Sequence, residues 1–369
     1  MILTKQIERK TIVWLCKSNQ YLLVENLLAS ILEQLAKGVL KEDIKAFLID
    51  RFDVESFEAE KFIRDAEKLL KKPEQKNIQK PFLEIPNLFT YKKFYSIYSS
   101  VFCVEYFSEY ELLLIHPKFA HLEVFEQSRL NYRYAVFCEK NKIYFYANKQ
   151  FVGSWNKTES HYFQGKFYMK LIEHIYGYKE ENWMGIFHAS ALSNGKYVIL
   201  FLGDSGSGKS TALALLQTRG FDCLADDFVP VLAHNQNVYS FPSAISVKKN
   251  SIPVLLPFYA ELKSAAEYHL KKQQKTVRYL PPKNANRPLH LPCKKLVFIK
   301  YKLEIGIDLR QISKIDAFQK LVPDSWLSPK AKSASVFLNW FKNLTCYQLL
   351  YSDNKKMIKT VEQLFLNEL

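Results

Sequence analysis

The chain has 369 residues, 48% of them hydrophobic, enough for two or three domains with real cores. No apolar run reaches membrane-spanning length, no signal-peptide core opens the chain, and the six scattered cysteines form no C-x-x-C pair, so a reduced, cytoplasmic protein without a membrane partner is expected. The net charge of +15 is uneven: between residues 263 and 302 eleven Lys or Arg face the single acid Glu267. Such a face suits phosphates or an acidic peptide, and no RNA- or DNA-binding motif accompanies it, so nucleic acid is not the expected partner.

In chain order, residues 11–15 and 21–24 flank Ser18-Asn19-Gln20 and predict a hairpin. Asn26 is the expected cap of a helix carrying Leu27, Leu28, Ile31, Leu32 and Leu35, stopped at Gly38. A second helix holds Ile44, Phe47 and Leu48. A third starts near Ser56 and presents Phe62, Ile63, Ala66, Leu69 and Leu70. A hairpin followed by three helices predicts a small winged-helix-like α+β domain over residues 1–72. The order of helix, Ala36-Lys37-Gly38 break and two further helices within residues 26–70 resembles the PqqD family of peptide-recognition proteins. That resemblance implies binding of a leader peptide as an added strand on the hairpin edge. A DNA-binding winged helix or an oligomerisation module is the alternative. Glu55, Glu58, Glu60, Asp65 and Glu67 at the third helix would repel DNA phosphates.

Residues 73–81, polar and bounded by Pro73 and Pro81, read as a linker, and a second domain is expected over 82–369. Its first part, 82–184, alternates short aromatic strands such as 134–138 and 143–146 with turns, and 167–176 reads as a helix. Residues 185–302 form the expected nucleotide-binding core. From Leu296 one more strand is expected, followed over 303–369 by C-terminal helices.

The most specific motif is Gly203-Asp204-Ser205-Gly206-Ser207-Gly208-Lys209-Ser210, a complete G-x-x-x-x-G-K-[ST] loop. The apolar run 197–202 before it predicts a strand buried on both faces, and Thr211-Ala212-Leu213 after it opens a helix ending near Gly220. Strand, glycine loop and helix N-terminus make an anion site in which Lys209 reaches nucleotide phosphates and the Ser210 hydroxyl ligates Mg²⁺. His188, in the segment 185–191 that reads as the preceding strand, lies 21 residues upstream of Lys209. Asp226 and Asp227 lie 17 and 18 residues downstream, at the end of another expected strand. All three can gather at one sheet edge, where phosphoryl transfer needs a metal-anchoring carboxylate and a base for the acceptor proton.

His188-Ala189-Ser190, the loop, and Leu224-Ala225-Asp226-Asp227 together resemble the HPr kinase/phosphorylase family and its relatives, which include ATP-dependent phosphoenolpyruvate carboxykinase. The resemblance covers roughly residues 90–365 and implies an α/β fold, a mixed-sheet P-loop kinase core, with ATP and Mg²⁺ as cofactors. It implies Lys209 on the β- and γ-phosphates, Ser210 and Asp227 on the metal, Asp226 as base and His188 near the transferred phosphate, with the two aspartate roles open to exchange. Where HPr kinases carry a glutamate and an Arg-Gly-x-Gly stretch this chain has residues 241–249, so a relative from a peptide-modification cluster is the nearer likeness. Lys248 is then a candidate for substrate or phosphate contact, and Arg278 and Arg287 are candidate cationic clamps. The expected function is an ATP- and Mg²⁺-dependent serine kinase acting on a ribosomally made peptide recruited by the first domain. Alternatives are a kinase of free serine or of a carrier protein, and a non-catalytic nucleotide-gated peptide chaperone. A homo-oligomer is left open.

Overall fold

Alternating apolar residues in the first 25 positions pair into an antiparallel sheet of β1 (Ile2–Ile7), β2 (Lys10–Leu15) and β3 (Gln20–Glu25), in that order. The computed structural model describes residues 1–71, 83–126, 129–270, 275–283 and 288–366; the expected linker 73–81 and Arg287 lie outside them. Three helices follow the sheet, α1 (Asn26–Lys37), α2 (Lys41–Phe52) and α3 (Ser56–Leu70). Val13 and Leu15 pack on Ile31, Leu32, Ile44, Leu48 and Ile63 of these helices, whereas Ile7 and Ile12 join the large core of the rest of the chain. Gly38 ends α1 at φ 82°. Asn26 does not cap it: Asn26 is the first helical residue, and its Oδ1 accepts a hydrogen bond from the Thr11 hydroxyl at 2.8 Å.

The aromatic segment forms a six-stranded sheet, order β6-β4-β5-β7-β8-β9, from β4 (Tyr91–Ile97), β5 (Ser100–Tyr106), β6 (Glu123–Val124), β7 (Tyr132–Glu139), β8 (Lys142–Ala147) and β9 (Gln150–Asn156). Two helices accompany it, and both correct the expected pattern. α4 (Glu109–Phe119) stands where strands and turns were expected. The run Leu112-Leu113-Leu114-Ile115 fits either period, and the Glu111 carboxylate reaching back to the Ser108 N–H at 2.9 Å favours the helix. α5 (Ser160–Tyr176) begins seven residues before Phe167 and buries Phe163 with Phe167, Leu171 and Ile172.

The remaining strands are β10 (Trp183–Phe187), β11 (Ser190–Ser193), β12 (Val198–Leu202), β13 (Asp222–Asp226), β14 (Val229–Leu232), β15 (Asn237–Tyr239), β16 (Ile245–Lys248), β17 (Tyr268–Leu270), β18 (Lys275–Leu280), β19 (His290–Tyr301), β20 (Ile307–Gln311), β21 (Ser325–Leu327) and β22 (Thr345–Tyr351). Between them run α6 (Lys209–Gln217), α7 (Ile252–Leu255), α8 (Lys314–Leu321), α9 (Ala331–Asn343) and, last, α10 (Asn354–Leu366). Ten strands make a mixed sheet, β13-β11-β12-β19-β15-β14-β10-β21, with β22 on β19 and β20 on β22; β16, β18 and β17 form a small sheet beside it. The fold is mixed α/β. The segment after residue 302 is not only helical: β22 runs parallel to β19 from Lys295↔Thr345 to Tyr301↔Tyr351, and β20 extends it. Its apolar residues do not alternate cleanly, so the pattern hid the strand.

β12 is buried on both faces as expected. Val198, Leu200 and Leu202 enter the large core, and Ile199 and Phe201 enter a second core beneath α6 and α10. Its C-terminal end is thereby fixed from both sides, and that is where the glycine loop begins.

Candidate active site

The loop leaves β12 at Gly203, whose φ of 138° and close approach to the Ile299 carbonyl, 2.8 Å from where a Cβ would lie, exclude a side chain. Gly208, at φ 106°, precedes α6 and sits under Tyr351, whose Oη would be 2.6 Å from a Cβ. The Tyr301 N–H donates to the Ser207 carbonyl at 2.8 Å, so the ends of β19 and β22 hold the loop's shape. Ser207 Oγ is buried with no hydrogen-bond partner among the described residues. The first-turn N–H groups of α6 lack helical acceptors, as at any helix start, an arrangement that suits an anion.

Lys209 is buried, and its ammonium donates to the Gly203 carbonyl and, at 3.2 Å, to that of Asp204. Burial lowers its pKa, and Asp227, Asp226, Asp204 and Asp324 partly offset that. Lys248 crosses the loop from β16 to donate to Ser205 Oγ at 3.1 Å, and Thr211 meets Ser251 at 2.7 Å.

Asp226 ends β13 fully buried. It accepts from Ser210 Oγ at 2.9 Å, Ser190 Oγ at 2.5 Å and the Ser246 N–H at 3.2 Å. Burial, and then the neighbouring Asp227 charge, push its carboxyl up to about 6. Asp227 takes the left-handed conformation at φ 67°, its N–H donating to the Ala189 carbonyl at 2.9 Å. Its carboxylate meets Lys118 Nζ at 3.1 Å. Burial alone would lift Asp227, but Lys118 above all, then His188 and Lys209, outweigh it and hold the carboxyl low. In return Asp227 overcomes the burial of Lys118 and holds that ammonium above its ordinary range.

His188 does not lie within a strand. The segment 185–191 is two strands of different neighbours, β10 and β11, and the chain turns between them at His188 and Ala189. His188 Nδ1 lies 3.3 Å from the Asp227 carbonyl, and the ring lines a 270 Å³ cavity with Gly203, Asp204, Lys320, Asp324 and Gln348. The structure thus brings His188, residues 203–211, Asp226, Asp227 and Lys248 together. Arg278 it does not bring: Arg278 pairs with Val247 across β16–β18 and so shares the face opposite to Ser246 and Lys248. Its guanidinium is held by the Leu262 and Lys263 carbonyls and by Glu267 at 2.8 Å.

Two participants carried no sequence signal, and a third, Ser190, stood in the motif beside His188 without a role of its own. Lys118 is 109 residues from Asp227 and reaches it on α4, the helix that the pattern did not separate from strands. Ser190 and Ser246 are small hydroxyl residues whose importance lies only in what they touch. Compared with known proteins, the chain matches no family model and no curated protein.

The donor set fits Mg²⁺. Among the described residues no three His, Cys, Asp or Glu side chains are arranged to hold a metal ion by themselves, but Mg²⁺ takes one or two carboxylates with phosphate oxygens and water, and Ser210, Asp226 and Asp227 offer that arrangement.

Proposed function

We propose that the chain is an ATP- and Mg²⁺-dependent kinase that phosphorylates a hydroxyl, with a serine of a ribosomally made peptide as acceptor. The observation that carries this reading is the contact of Ser210 with Asp226 at 2.9 Å, directly beside Asp227 and its partner Lys118. A loop that only sensed nucleotide has no chemical need for a second, separately polarised carboxylate.

In this reading Lys209 and the N–H groups of residues 205–211 grip the phosphates, and Lys248 covers them from β16. Ser210 and Asp226 hold Mg²⁺, which when bound spreads the charge of the phosphate oxygens. The Ser210 hydroxyl on this carboxylate favours this over Asp226 as base, because a metal held by Ser210 Oγ would lie against the same oxygens. Asp227 is the more open carboxylate. It orients the acceptor hydroxyl and takes its proton as the oxygen–phosphorus bond forms and ADP departs. A loose transition state asks little basicity of it, so its depressed pKa is compatible with the role. Lys118 and His188 lie where they offset the charge of the phosphoryl oxygens. The peptide part rests on the likeness of residues 26–70 to PqqD proteins, and the kinase part is supported by the likeness of the loop and its two aspartates to HPr kinase relatives.

Incubation with Mg-ATP and candidate precursor peptides encoded by adjacent genes tests it by mass spectrometry. Phosphate on a peptide serine, lost in Lys209→Met and Asp226→Asn, is the expected result. Nucleotide binding without ATP turnover or phosphate addition overturns it.

A further inference from the structure

Three cavities adjoin β21, the last strand of the ten-stranded sheet, and neighbouring ones share a residue of it. The outermost, 540 Å³, is walled by Tyr178 and Trp326. The middle one, 450 Å³, shares Trp326 and is bordered on one side by the consecutive residues Asn19, Gln20, Tyr21 and Leu22, and on the other by Ser325, Trp326 and Leu327. The innermost, the 270 Å³ cavity of His188 and Asp324, shares Ser325 and ends on Gly203 and Asp204 of the loop.

Consecutive residues of a strand point to opposite faces, so a cavity lined by three or four in a row is seen from the strand's edge. The middle cavity is therefore a gap between two sheet edges. β3 pairs only with β2, and β21 only with β10, among the described residues. Asn19 Nδ2, donating to the Leu327 carbonyl at 2.8 Å, ties the edges at one end. What fits between two strand edges is a third extended chain, whose alternating N–H and C=O groups face both. A free amino acid would need only the innermost cavity, already near the lower size of about 300 Å³ typical of sites for larger ligands.

We infer that these cavities mark the track of the acceptor: an extended polypeptide lies along β21 between the two edges and passes the innermost cavity to reach His188, whose Nδ1 lies 3.3 Å from the Asp227 carbonyl, so that the polypeptide's serine meets the Asp227 carboxylate beyond the ring. Lys320 and Asp324, of opposite charge at the inner mouth, flank the residues next to that serine. The inference rests on the kinase reading with its peptide acceptor and adds to it the path that the chain takes along β21 to the loop.

The test uses the full-length protein with Mg-ATP and two probes, degenerate decapeptides with one central serine and the blocked tripeptide Ala-Ser-Ala. The decapeptides are expected to be phosphorylated with a kcat/KM about tenfold or more above the tripeptide, and Gln20→Trp, at an exposed position on the middle gap, to erase that preference. A photo-crosslinking residue at position 20 or 178 captures decapeptide, whereas one at Phe57, exposed on α3, does not. Equal use of both peptides, or a preference that survives Gln20→Trp together with equal capture at Phe57, overturns the track while the kinase reading stands. Bound ATP with transfer to neither peptide removes both.

Discussion

Asp226 and Asp227 are joined by one peptide bond, yet burial and the neighbouring charge raise the first while Lys118 holds the second low. The stability consequences are opposite in sign. A raised carboxyl binds its proton more tightly folded than unfolded, so the Asp226 contribution is full below the ordinary carboxyl range near 3.8 and is lost as pH rises through about 6. The depressed Asp227 contributes above the ordinary range and loses that contribution only in stronger acid. Asp226→Asn should therefore make the ligand-free protein more stable at pH 7 by about 1–3 kcal/mol and leave it nearly unchanged near pH 4, while abolishing phosphoryl transfer. Thermal melts of both proteins across that range measure the difference, and a destabilised variant at neutral pH would contradict it. Lys118→Met takes the cation from Asp227, whose carboxyl then rises. The acid limb of the rate profile should move upward and kcat fall about 100-fold with nucleotide affinity retained, read from kcat against pH and from equilibrium nucleotide binding.

At the scale of elements, the loop works because β19 and β22 hold it, and Gly208 is where that support is tightest. Gly208→Ala meets Tyr351 Oη at 2.6 Å and must hold φ near 106°, so a loss of about 2–4 kcal/mol and of nucleotide binding is expected. Tyr351→Phe in the same chain removes the clash but not the backbone strain, and should recover part of the stability. A double-mutant cycle from denaturant unfolding separates the two terms. The loop was legible in the sequence because its glycines, lysine and serine keep a fixed local spacing between an apolar strand and a helix, and Asp226-Asp227 because a strand ends there. β22 was not legible: Cys346, Leu349 and Tyr351 are buried at uneven intervals, and the strand forms because β19 offers it a partner from Lys295 to Tyr301. α4 hid for a related reason, its four apolar residues in a row fitting both periods, and with it Lys118. The segment around His188 read as one strand because both of its halves are apolar. Only pairing with different neighbours, β14 and β21 against β12 and β13, breaks it where the histidine must turn toward Asp227.

At the scale of the molecule, the first 71 residues are tied to the rest by more than a connecting segment. Ile7 and Ile12 are buried in the large core, and the Tyr21 ring packs edge-on against Phe337 at 5.3 Å and against Phe318 at 6.4 Å. Polar contacts border this patch, Glu8 accepting from the Lys314 N–H at 2.7 Å and Lys5 donating to Asn339 at 2.6 Å. In the proposed reading, a polypeptide recruited by the first three strands would be held against α8 and α9, the elements that bracket β21 and lead to Asp324. Truncation to residues 72–369 exposes Phe318 and Phe337, at about 2 kcal/mol or more for each, and removes one side of the gap along β21. The truncated chain should melt well below the full protein and self-associate, seen by calorimetry and size-exclusion chromatography. Loss of peptide phosphorylation in it would then reflect lost packing as much as lost recruitment. A truncated chain that stays monomeric with an unchanged melting temperature would show that the shared core contributes little. Exposed substitutions such as Gln20→Trp leave that core in place, so they, and not truncation, separate recruitment from folding.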